Sequence, residues 1–372
     1  MNDEEYMRFA LQLASTVSGQ TSPNPPVGSV VVKEGQVVGF GAHLKAGEAH
    51  AEVHALQMAG DNAKGATIYV TLEPCSHHGR TPPCADLIIE KGISRAVIAV
   101  TDPNKKVAGR GIEKLKSAGI EVELGVLEAE GETVNAVFFH YTKTKTPFVT
   151  VKSATTLDGK TATVTGESKW ITGKAARQDV HSYRHTHDAI LVGVNTVIAD
   201  NPKLTTRLAN GVGKNPLRIV LDTRLRTPID ANVVTDNEAK TWIFTGKQVT
   251  KEEIEPFKAK DGVTVIQLDD EKINIDNVLQ ILGSEGIMSL FVEGGAEIND
   301  AFLQQKKINQ MIMYLAPMLL GGKTAPTSFT GVGFESLTES LSLKIKHMEM
   351  IDQDIKFIAV PRKDETNVYR NN

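Results

Sequence analysis

Short strand-like runs alternate with helix-like segments along this chain, and this alternation constrains the fold more than any other feature. In the first half, a hairpin-like stretch and three strand-like runs lie at 27–42, 66–72, 95–103 and 120–126. Segments with the apolar spacing of helices lie at 3–18, 47–60, 84–92 and 111–119. Strands that alternate with helices are typical of layered α/β folds. The pattern therefore predicts an α/β protein.

The same alternation starts again at residue 148, which predicts a second domain. Its strand-like runs are 148–155, 189–194, 217–223, 241–246, 263–269 and 289–295, and a hairpin ends the series at 344–361. The polar segment 141–148 is interpreted as a linker. At about 150 residues per domain, a length of 372 residues agrees with two domains. We predict domains at 1–144 and 148–361, followed by a loose polar tail at 362–372.

The charge balance and the chain start argue against several classes of protein. Lysine and arginine total 41 against 45 aspartates and glutamates, so the net charge is −4, whereas surfaces that bind nucleic acid are basic. The acidic N-terminus does not resemble a secretory signal, and no run of about 18 apolar residues indicates a membrane span. Two cysteines are too few for a disulfide-stapled scaffold. We expect a cytoplasmic protein without a nucleic-acid or membrane partner.

Four residues of the first half have the types and order of a zinc site. Cys75 and Cys84 fall within TLEPCSHHGRTPPC, and His50 and Glu52 form an upstream His-x-Glu pair. One imidazole and two thiolates leave the fourth position of zinc open for water. Zinc lowers the pKa of that water toward about 7, and a nearby carboxylate can carry its proton. This order of residues is that of zinc deaminases, in which the glutamate is not a ligand.

Other interpretations of these residues remain open from the sequence alone. A single cysteine is more often a small buried hydrophobe than a ligand. Eight residues separate Cys75 from Cys84, where the Pro-Cys-x-x-Cys pattern has two, so the loop between them must fold back. His77 and His78 in that loop are alternative ligands or substrate contacts. His54 suggests a two-histidine helical site, but the order His-Glu-x-x-His is absent.

Three motifs, SPNPPVGSVVV, HAEVHAL and TLEPCSHHGRTPPC, resemble the deaminase domain of the bifunctional riboflavin-biosynthesis deaminase/reductases. The long loop between the cysteines is normal in that family. The resemblance implies an N-terminal cytidine-deaminase-like α/β/α domain. It further implies that Zn²⁺ is bound by His50, Cys75 and Cys84, that Glu52 shuttles protons, and that Asn24 contacts the base. Further candidates for contacts with the base or the ribose phosphate are His43, His77, Arg80 and Thr81.

In the second half, the motif FVEGGAEI predicts an anion site. A strand ends near Glu293, two glycines follow, and a helix starts near Ala296, so backbone N–H groups can face a phosphate. A tight turn without a ligand has the same pattern, and the G-x-G-x-x-G fingerprint is absent. Arg184 and Arg207 are candidates for binding a substrate phosphate, although a single arginine is more often a solvated surface charge. The segment ADNPKLTTR has the composition of a surface loop.

The motifs VKSATTLDGKTAT, VGVNTVIADNPKLTTR and FVEGGAEI are similar to the reductase domain of the same family, over about 148–361. The resemblance implies a dihydrofolate-reductase-like α/β domain that binds NADPH. Contacts with NADPH are expected from Ala154, Trp170, Thr196, Asp200, Thr223, Gly295, Ala296, Glu297, Ile298, Asn299, Asp300 and Ala301. Contacts with the substrate are expected from Ser168, Arg184, Leu204, Arg207 and Glu293. Arg224 or Arg226 is a candidate for binding the 2′-phosphate of NADPH.

The resemblance implies two successive reactions on one small molecule. The first is hydrolytic deamination of 2,5-diamino-6-ribosylamino-4(3H)-pyrimidinone 5′-phosphate, and the second is NADPH-dependent reduction of the ribosyl group to ribityl. The family also implies a homo-oligomer, a dimer or a tetramer. The alternatives are a nucleic-acid-editing deaminase, a zinc deaminase with an inactive reductase-like domain, and a binding module without activity. Asp200 is either a proton donor in the reduction or a carboxylate that orients the cofactor.

Overall fold

The structure is a computed structural model that describes residues 1–76, 82–103, 108–211 and 213–362. The chain forms two compact units, the first ending at Thr146 and the second beginning at Pro147. The boundary between the units lies within the predicted linker at 141–148, but the helix Ala136–Thr144 occupies the first residues of that segment. Phe138 and Phe139 of this helix pack on the core of the first unit, and these contacts stabilise the helix despite its polar end.

The first unit contains a five-stranded sheet. Its strands are β1 (Gly28–Lys33), β2 (Gln36–Ala42), β3 (Thr67–Val70), β4 (Arg95–Ile98) and β5 (Glu121–Leu124), in the order β2-β1-β3-β4-β5. β1 is antiparallel to β2 and β3, whereas β3, β4 and β5 are parallel. The predicted hairpin at 27–42 is confirmed, and its turn residues Glu34 and Gly35 both have positive φ, as the tightest hairpin turns require.

Helices cover both faces of this sheet. They are α1 (Asp3–Thr16), α2 (Ala51–Ala59), α3 (Cys84–Glu90), α4 (Arg110–Ser117), α5 (Glu128–Val134) and α6 (Ala136–Thr144), and a short 3-10 helix, Gly60–Ala63, follows α2. Val30 and Tyr69 enter one core together with α1 and α6. Val31 and Ile68 enter the other core together with α2, α3 and α4. Successive strand residues therefore serve opposite cores, which makes a three-layer α/β/α unit.

The helix predicted at 47–60 begins later than expected, at Ala51. His50 is its N-cap and has an extended backbone, with φ of −76° and ψ of 165°. A Cβ atom at Gly39 of β2 would lie 2.1 Å from the carbonyl oxygen of Ala55, so only glycine allows β2 and α2 to pack this closely. This packing determines where His50 lies relative to the sheet.

The second unit contains a nine-stranded sheet. Its strands are β6 (Phe148–Thr156), β7 (Ala189–Gly193), β8 (Leu217–Leu221), β9 (Thr241–Thr245), β10 (Val263–Gln267), β11 (Ser289–Val292), β12 (Gln310–Ala316), β13 (Leu343–Ile351) and β14 (Asp354–Pro361), in the order β10-β9-β8-β7-β11-β6-β12-β14-β13. The first seven in this order are parallel, and β14 and β13 form an antiparallel hairpin. The sequence prediction lacks β12, because a continuous apolar run does not distinguish a buried strand from a helix.

Helices connect the strands of the second unit. They are α7 (Lys174–Thr186), α8 (Val194–Asp200), α9 (Asn232–Thr235), α10 (Lys251–Lys258), α11 (Ile275–Ser284) and α12 (Ala296–Gln304). Because seven strands are parallel, their carboxyl ends lie along one edge of the sheet, where ligands of open α/β sheets bind. In the ranges that the structure describes, no helix has the length and apolar character of a membrane span.

Candidate functional site

His50, Cys75 and Cys84 come together in the first unit. His50 is the N-cap of α2, Cys75 follows β3, and Cys84 is the first residue of α3. Their three ligand atoms lie within 4.8 Å of one another. The backbone N–H of Cys84 donates to the sulfur of Cys75 at 3.3 Å, so the long segment between the cysteines does return to its starting point.

The distances between these donor atoms fit a tetrahedral zinc ion. His50 Nδ1 lies 3.6 Å from Cys75 Sγ and 3.3 Å from Cys84 Sγ. Zinc bonds of about 2.0 Å to nitrogen and about 2.3 Å to sulfur separate such donors by roughly 3.5 Å at a tetrahedral angle. Three protein ligands leave a fourth position free for chemistry, as in catalytic rather than structural zinc sites.

The segment that carries Cys75 is held by a buried glutamate, Glu73, which sequence reasoning missed. Its carboxylate accepts hydrogen bonds of 3.0–3.3 Å from the backbone N–H groups of Asp102, Gly109 and Gly111. The latter two residues lie at the start of α4, where the helix dipole favours a negative charge. An acidic residue directly after an apolar strand was the signal available in the sequence.

Glu52 lies in the first turn of α2 and is only 3% exposed. Its side chain hydrogen-bonds with Cys84, which places the carboxyl group next to the ligand cluster. Burial, and after it the charge of Cys75, raise the pKa of Glu52 to about 7. A carboxyl group with a pKa near neutrality can both accept and release a proton at physiological pH.

The two thiols differ in their readiness to ionise. Hydrogen bonds from Cys84 and His50 lower the pKa of Cys75. The contact with Cys75, together with burial, raises the pKa of Cys84. A divalent metal ion stabilises both groups as thiolates, because its charge outweighs their mutual repulsion. One imidazole and two thiolates are a donor set that suits zinc.

Asn24 and His43 lie beside the ligand cluster. Asn24 Nδ2 lies 2.9 Å from His43 Nε2, and the rings of His43 and His50 meet edge to face with their centroids 5.1 Å apart. His43 is 2% exposed, so it contacts Asn24 from within the protein. The remaining candidates of this domain lie outside the described residues; they are His77, His78, Arg80 and Thr81.

In the second unit, Arg184 and Glu293 form a buried ion pair at the carboxyl edge of the sheet. Arg184 Nε and Nη2 donate to the two carboxylate oxygens of Glu293 at 2.6 and 3.1 Å, and Nη1 donates to the carbonyl oxygen of Thr205. Burial alone would raise the pKa of Glu293, but the charges of Arg184 and Lys152 hold it below its ordinary value. The structure thus brings together two of the predicted substrate contacts and pairs them with each other.

Lys152, on β6, lies beside the same ion pair and was missed by sequence reasoning. Its Nζ lies 4.0 Å from Glu293 Oε2 and 6.0 Å from the centroid of the Tyr314 ring. Burial lowers the pKa of Lys152, because desolvation disfavours the ammonium form, and nearby Arg184 acts in the same direction. The signal was a charged residue within the strand-like run FVTVKSAT.

The loop before α7 places three predicted contacts near one another. Lys169 Nζ lies 2.9 Å from Asp200 Oδ1, so the neighbouring Ser168 and Trp170 lie close to the end of α8. The Trp170 ring is 65% exposed, and the guanidinium of Arg177 lies 4.4 Å from its centroid. An exposed aromatic ring beside a cation is available to stack on a planar ligand.

The glycine turn after β11 leads into α12, where Gly295 is the N-cap and no side chain caps the helix. A Cβ atom at Gly294 would lie 2.5 Å from Ile298, which explains the glycine there. Asn299 is buried and donates to the carbonyl oxygen of Ser328, and Ile298 packs on the core. The predicted contacts that remain on the outer side of this turn are Gly295, Ala296, Glu297 and Asp300.

The segment predicted as a surface loop, ADNPKLTTR, is partly buried. Leu204 is 3% exposed and packs in the core with a positive φ of 54°, so its contact with a substrate would involve the backbone. Arg207 is exposed, and its backbone N–H donates to His181 Nδ1 at 3.2 Å. Apolar and threonine side chains inside a polar segment were the signal that it turns inward.

The remaining expected cofactor contacts follow neighbouring strands. Thr196 lies in α8 after β7, Thr223 follows β8, and Ala154 lies on β6 two residues beyond Lys152. Arg226 Nη2 donates to the side-chain oxygen of Asn195 in α8 at 3.1 Å. These positions are spread along the carboxyl edge of one parallel sheet, where an extended dinucleotide can be accommodated.

The fold and the site define a class of protein, a zinc-dependent deaminase joined to a reductase. The family model of the cytidine and deoxycytidylate deaminase zinc-binding region matches residues 1–100, and that of the RibD C-terminal domain matches residues 147–357. The ligand cluster lies in the first match, and the ion pair at Glu293 lies in the second. These matches confirm the expected cytidine-deaminase-like domain and the reductase domain that follows it.

The chain belongs to the RibD family of riboflavin biosynthesis proteins. RibD of Bacillus amyloliquefaciens is 52% identical over 373 residues, which cover 99% of this chain and 100% of that protein. A structure of Acinetobacter baumannii RibD has a TM-score of 0.85 and 40% identity, covering 97% of this chain and 99% of that one. A Thermotoga maritima diaminohydroxyphosphoribosylaminopyrimidine deaminase/5-amino-6-(5-phosphoribosylamino)uracil reductase has a TM-score of 0.83 and 36% identity, covering 96% and 98%. The protein is a bifunctional enzyme that uses Zn²⁺ for deamination and NADPH for reduction.

Proposed function

We propose that residues 1–144 deaminate 2,5-diamino-6-ribosylamino-4(3H)-pyrimidinone 5′-phosphate and that residues 148–361 then reduce its ribosyl group with NADPH. The product is 5-amino-6-ribitylamino-uracil 5′-phosphate. The observation that carries the proposal is the cluster of three metal-ligand side chains with the buried Glu52 beside it. The activities named for the Thermotoga maritima relative support this choice of substrate.

In the deaminase domain, His50, Cys75 and Cys84 would hold the zinc ion. When bound, the ion supplies the Lewis acidity that makes water a nucleophile at neutral pH. Glu52 takes a proton from the attacking water and delivers it to the ring nitrogen of the pyrimidine. A second proton transfer through Glu52 lets the exocyclic amine leave as ammonia. Asn24, whose Nδ2 contacts His43 beside the ligand cluster, is proposed to bind the base.

In the reductase domain, NADPH when bound supplies the hydride, and the protein positions the substrate along the carboxyl edge of the sheet. The ribosylamine must open to an imine before its anomeric carbon can accept a hydride. Opening and reduction both need a proton donor near the sugar. Lys152 suits this role, because it lies beside Glu293 and burial lowers its pKa. Arg184, Glu293 and Arg207 are proposed to position the sugar phosphate.

Replacement of Lys152 tests this role. We expect Lys152→Met to lower the kcat of reduction by about 10²–10⁴-fold, the usual contribution of a positioned proton donor. Lys152→Arg keeps the positive charge next to Glu293 but cannot release a proton, so it should lose a similar factor. The measurement is the loss of NADPH absorbance with the deaminated pyrimidine as substrate. A wild-type kcat in Lys152→Arg would show that only the charge matters.

The proposed function is tested by one assay on the purified, zinc-loaded protein. The diaminopyrimidine ribosylamine phosphate is supplied with and without NADPH, and ammonia release and NADPH absorbance are recorded together. We expect ammonia in both reactions and consumption of NADPH only after ammonia appears. Ammonia without consumption of NADPH would leave a deaminase with an inactive reductase-like domain. A lack of ammonia would overturn the proposed substrate.

We further propose that the protein is a homo-oligomer that assembles through β13. This strand is the edge of the nine-stranded sheet, and within the described residues no strand pairs with its outer side. Ile345, Met348 and Met350 are about 60% exposed, and the bulge between 345 and 347 brings all three to one face. An exposed apolar edge strand favours pairing with another chain, and a second copy supplies the same apolar face.

Replacement of these side chains tests the assembly. We expect the double variant Ile345→Lys/Met348→Lys to raise the dissociation constant of the oligomer by about 30-fold or more, because a lost interface anchor costs about 2 kcal/mol. Light scattering after size exclusion measures the mass at several protein concentrations. Leu337→Lys, an exposed leucine outside β13, is the control. A monomeric wild-type protein would contradict the proposal.

We also infer a cytoplasmic enzyme that has no nucleic-acid partner. Cys75 and Cys84 are free thiols, and thiols that bind zinc must stay reduced, which supports a reducing compartment. A net charge of −4 does not favour binding to a phosphate backbone.

A further inference from the structure

The carboxyl-terminal hairpin of β13 and β14 contacts α7, the helix that carries Arg184. Asp354 and Lys356 lie two residues apart on β14, so their side chains project to the same face of the sheet. Both residues are buried, at 3% and 5% exposure, although both are charged. Each of them makes a polar contact with α7 or its N-cap, so the hairpin holds this helix at two points.

The first point is the N-terminus of α7. Asp354 Oδ2 accepts a hydrogen bond of 2.7 Å from the backbone N–H of Gly173, the N-cap residue, which has no side chain of its own to cap the helix. The first N–H groups of a helix have no partner within the helix, and the helix dipole favours a carboxylate near them. Asp354 therefore caps α7 from a distant part of the chain.

The second point is in the middle of α7. Lys356 Nζ lies 2.8 Å from Asp179 Oδ2 and 3.2 Å from Glu349 Oε1 of β13. The hydroxyl of Tyr314 on β12 donates to the same Asp179 oxygen at 2.6 Å, and Lys356 Nζ lies 4.9 Å from the centroid of the Tyr183 ring. An unpaired buried charge is strongly disfavoured, so the ammonium has to keep these partners. Lys356 therefore fixes Asp179, and with it the middle of α7, against the hairpin.

The helix α7 in turn holds both arginines that are proposed to position the sugar phosphate. Arg184 lies in its last turn. Arg207 belongs to another segment, but its backbone N–H donates to His181 Nδ1 at 3.2 Å and its carbonyl oxygen accepts from Gln178 Nε2 at 2.8 Å. His181 and Gln178 flank Asp179 on α7, so a displacement of the helix at Asp179 moves both arginines.

We propose that Lys356 is a positioning residue of the reductase reaction, which holds α7 where the two arginines reach the sugar phosphate together. Its ammonium is nearly buried and is surrounded by groups of the protein, so Lys356 acts through Asp179 and α7 rather than on the substrate. This inference rests on the proposed role of Arg184 and Arg207 as phosphate contacts.

Replacement of Lys356 tests the inference. Methionine occupies similar space but cannot bind Asp179. We expect Lys356→Met to raise the KM for the deaminated pyrimidine about tenfold and to keep kcat within about threefold, because displaced binding groups weaken the binding of substrate and transition state alike. The loss of NADPH absorbance is measured at saturating NADPH on the zinc-loaded full chain. Ammonia release from the diaminopyrimidine should proceed at the wild-type rate.

The division between KM and kcat separates positioning from a merely structural role. Partial unfolding of the second unit removes active molecules, so it lowers kcat and leaves KM unchanged. That result in Lys356→Met would overturn the inference. The control is Lys258→Met, which breaks the ion pair of Lys258 with Glu255, a pair whose side chains are 59% and 71% exposed. This control should keep the wild-type KM.

Replacement of the partner gives a second and independent test. Asp179→Asn removes the charge with little change of shape, and Glu349 still pairs with Lys356, so this variant also carries the test if Lys356→Met does not fold. We expect it to raise the same KM. The double variant should raise KM no further than the larger single effect, because both changes break one contact. A wild-type KM in Asp179→Asn, or effects on KM that multiply in the double variant, would overturn the inference.

Arg207→Ala, measured in the same assay, distinguishes failure of the inference from failure of the proposed function. We expect it to raise the KM for the deaminated pyrimidine. A raised KM in Arg207→Ala with a wild-type KM in Lys356→Met would overturn the inference and leave the proposed phosphate contact intact. A wild-type KM in Arg207→Ala would contradict the phosphate contact itself, on which the inference rests.

Discussion

Glu52→Gln is expected to lower the kcat of deamination by about 10²–10⁴-fold while the zinc content stays unchanged. Glutamine has nearly the shape of glutamate and fits the same buried position in the first turn of α2, but it cannot carry a proton between water and the pyrimidine. The three metal-ligand side chains are untouched by the change. The measurement is ammonia release at saturating substrate, with zinc determined on the same sample.

The control is the same substitution at an exposed glutamate, Glu132→Gln in α5, which should deaminate at the wild-type rate. Reduction of the deaminated substrate should proceed normally in both variants. Equal rates of deamination in Glu52→Gln and wild type would remove the proton-shuttle role. Loss of zinc in Glu52→Gln would instead make Glu52 a contributor to the metal site.

Glu293→Gln is expected to lower the free energy of unfolding of the second unit by about 3–5 kcal/mol, the typical cost of breaking a buried ion pair from one side. The substitution leaves the guanidinium of Arg184 and the ammonium of Lys152 close together without a counter-charge. Both side chains of the Arg184–Glu293 pair are less than 15% exposed, at 14% and 11%, so solvent screens little of the repulsion. Reduction should also be impaired, because Arg184 and Glu293 are proposed to position the sugar phosphate.

Urea unfolding followed by tryptophan fluorescence measures this effect selectively, because Trp170 and Trp242, the only two tryptophans, belong to the second unit. An exposed control, Glu285→Gln, should change stability by no more than about 0.5 kcal/mol. Adding Arg184→Met to Glu293→Gln removes one of the unpaired cations, so the double variant should be less destabilised than the sum of the single variants. If the loss of stability in the double variant equals the sum of the losses in the single variants, Arg184 and Glu293 have no interaction free energy.

The candidate metal ligands could be predicted because their chemistry is rare in this chain. Cys75 and Cys84 are its only cysteines, and the His-x-Glu pair precedes them in the order of zinc deaminases. The pattern of apolar residues was also sufficient to predict most strands, because a period of two in a strand indicates which side chains face the core. The hairpin predicted at 344–361 is present as β13 and β14.

Other features depend on contacts between residues far apart in the chain. Glu73 and Lys152 each lie in or just after a strand, and their sequence neighbours do not reveal the backbone N–H groups or the carboxylate that they face. The helix α6 extends into a polar segment because Phe139 packs on a core built by earlier elements. Such interactions have no periodic signature, so single-sequence reasoning does not detect them.

The sequence by itself determined the α/β class, the two-part organisation and the residue types able to bind zinc, because these follow from local periodicity and from rare side chains at short spacing. Only the tertiary structure decided how those side chains are used. It brought Cys84 back to Cys75, paired Arg184 with Glu293, and placed His43 behind Asn24. The reason is physical: hydrogen bonding, burial and charge at a site depend on which groups the packing brings within a few ångströms.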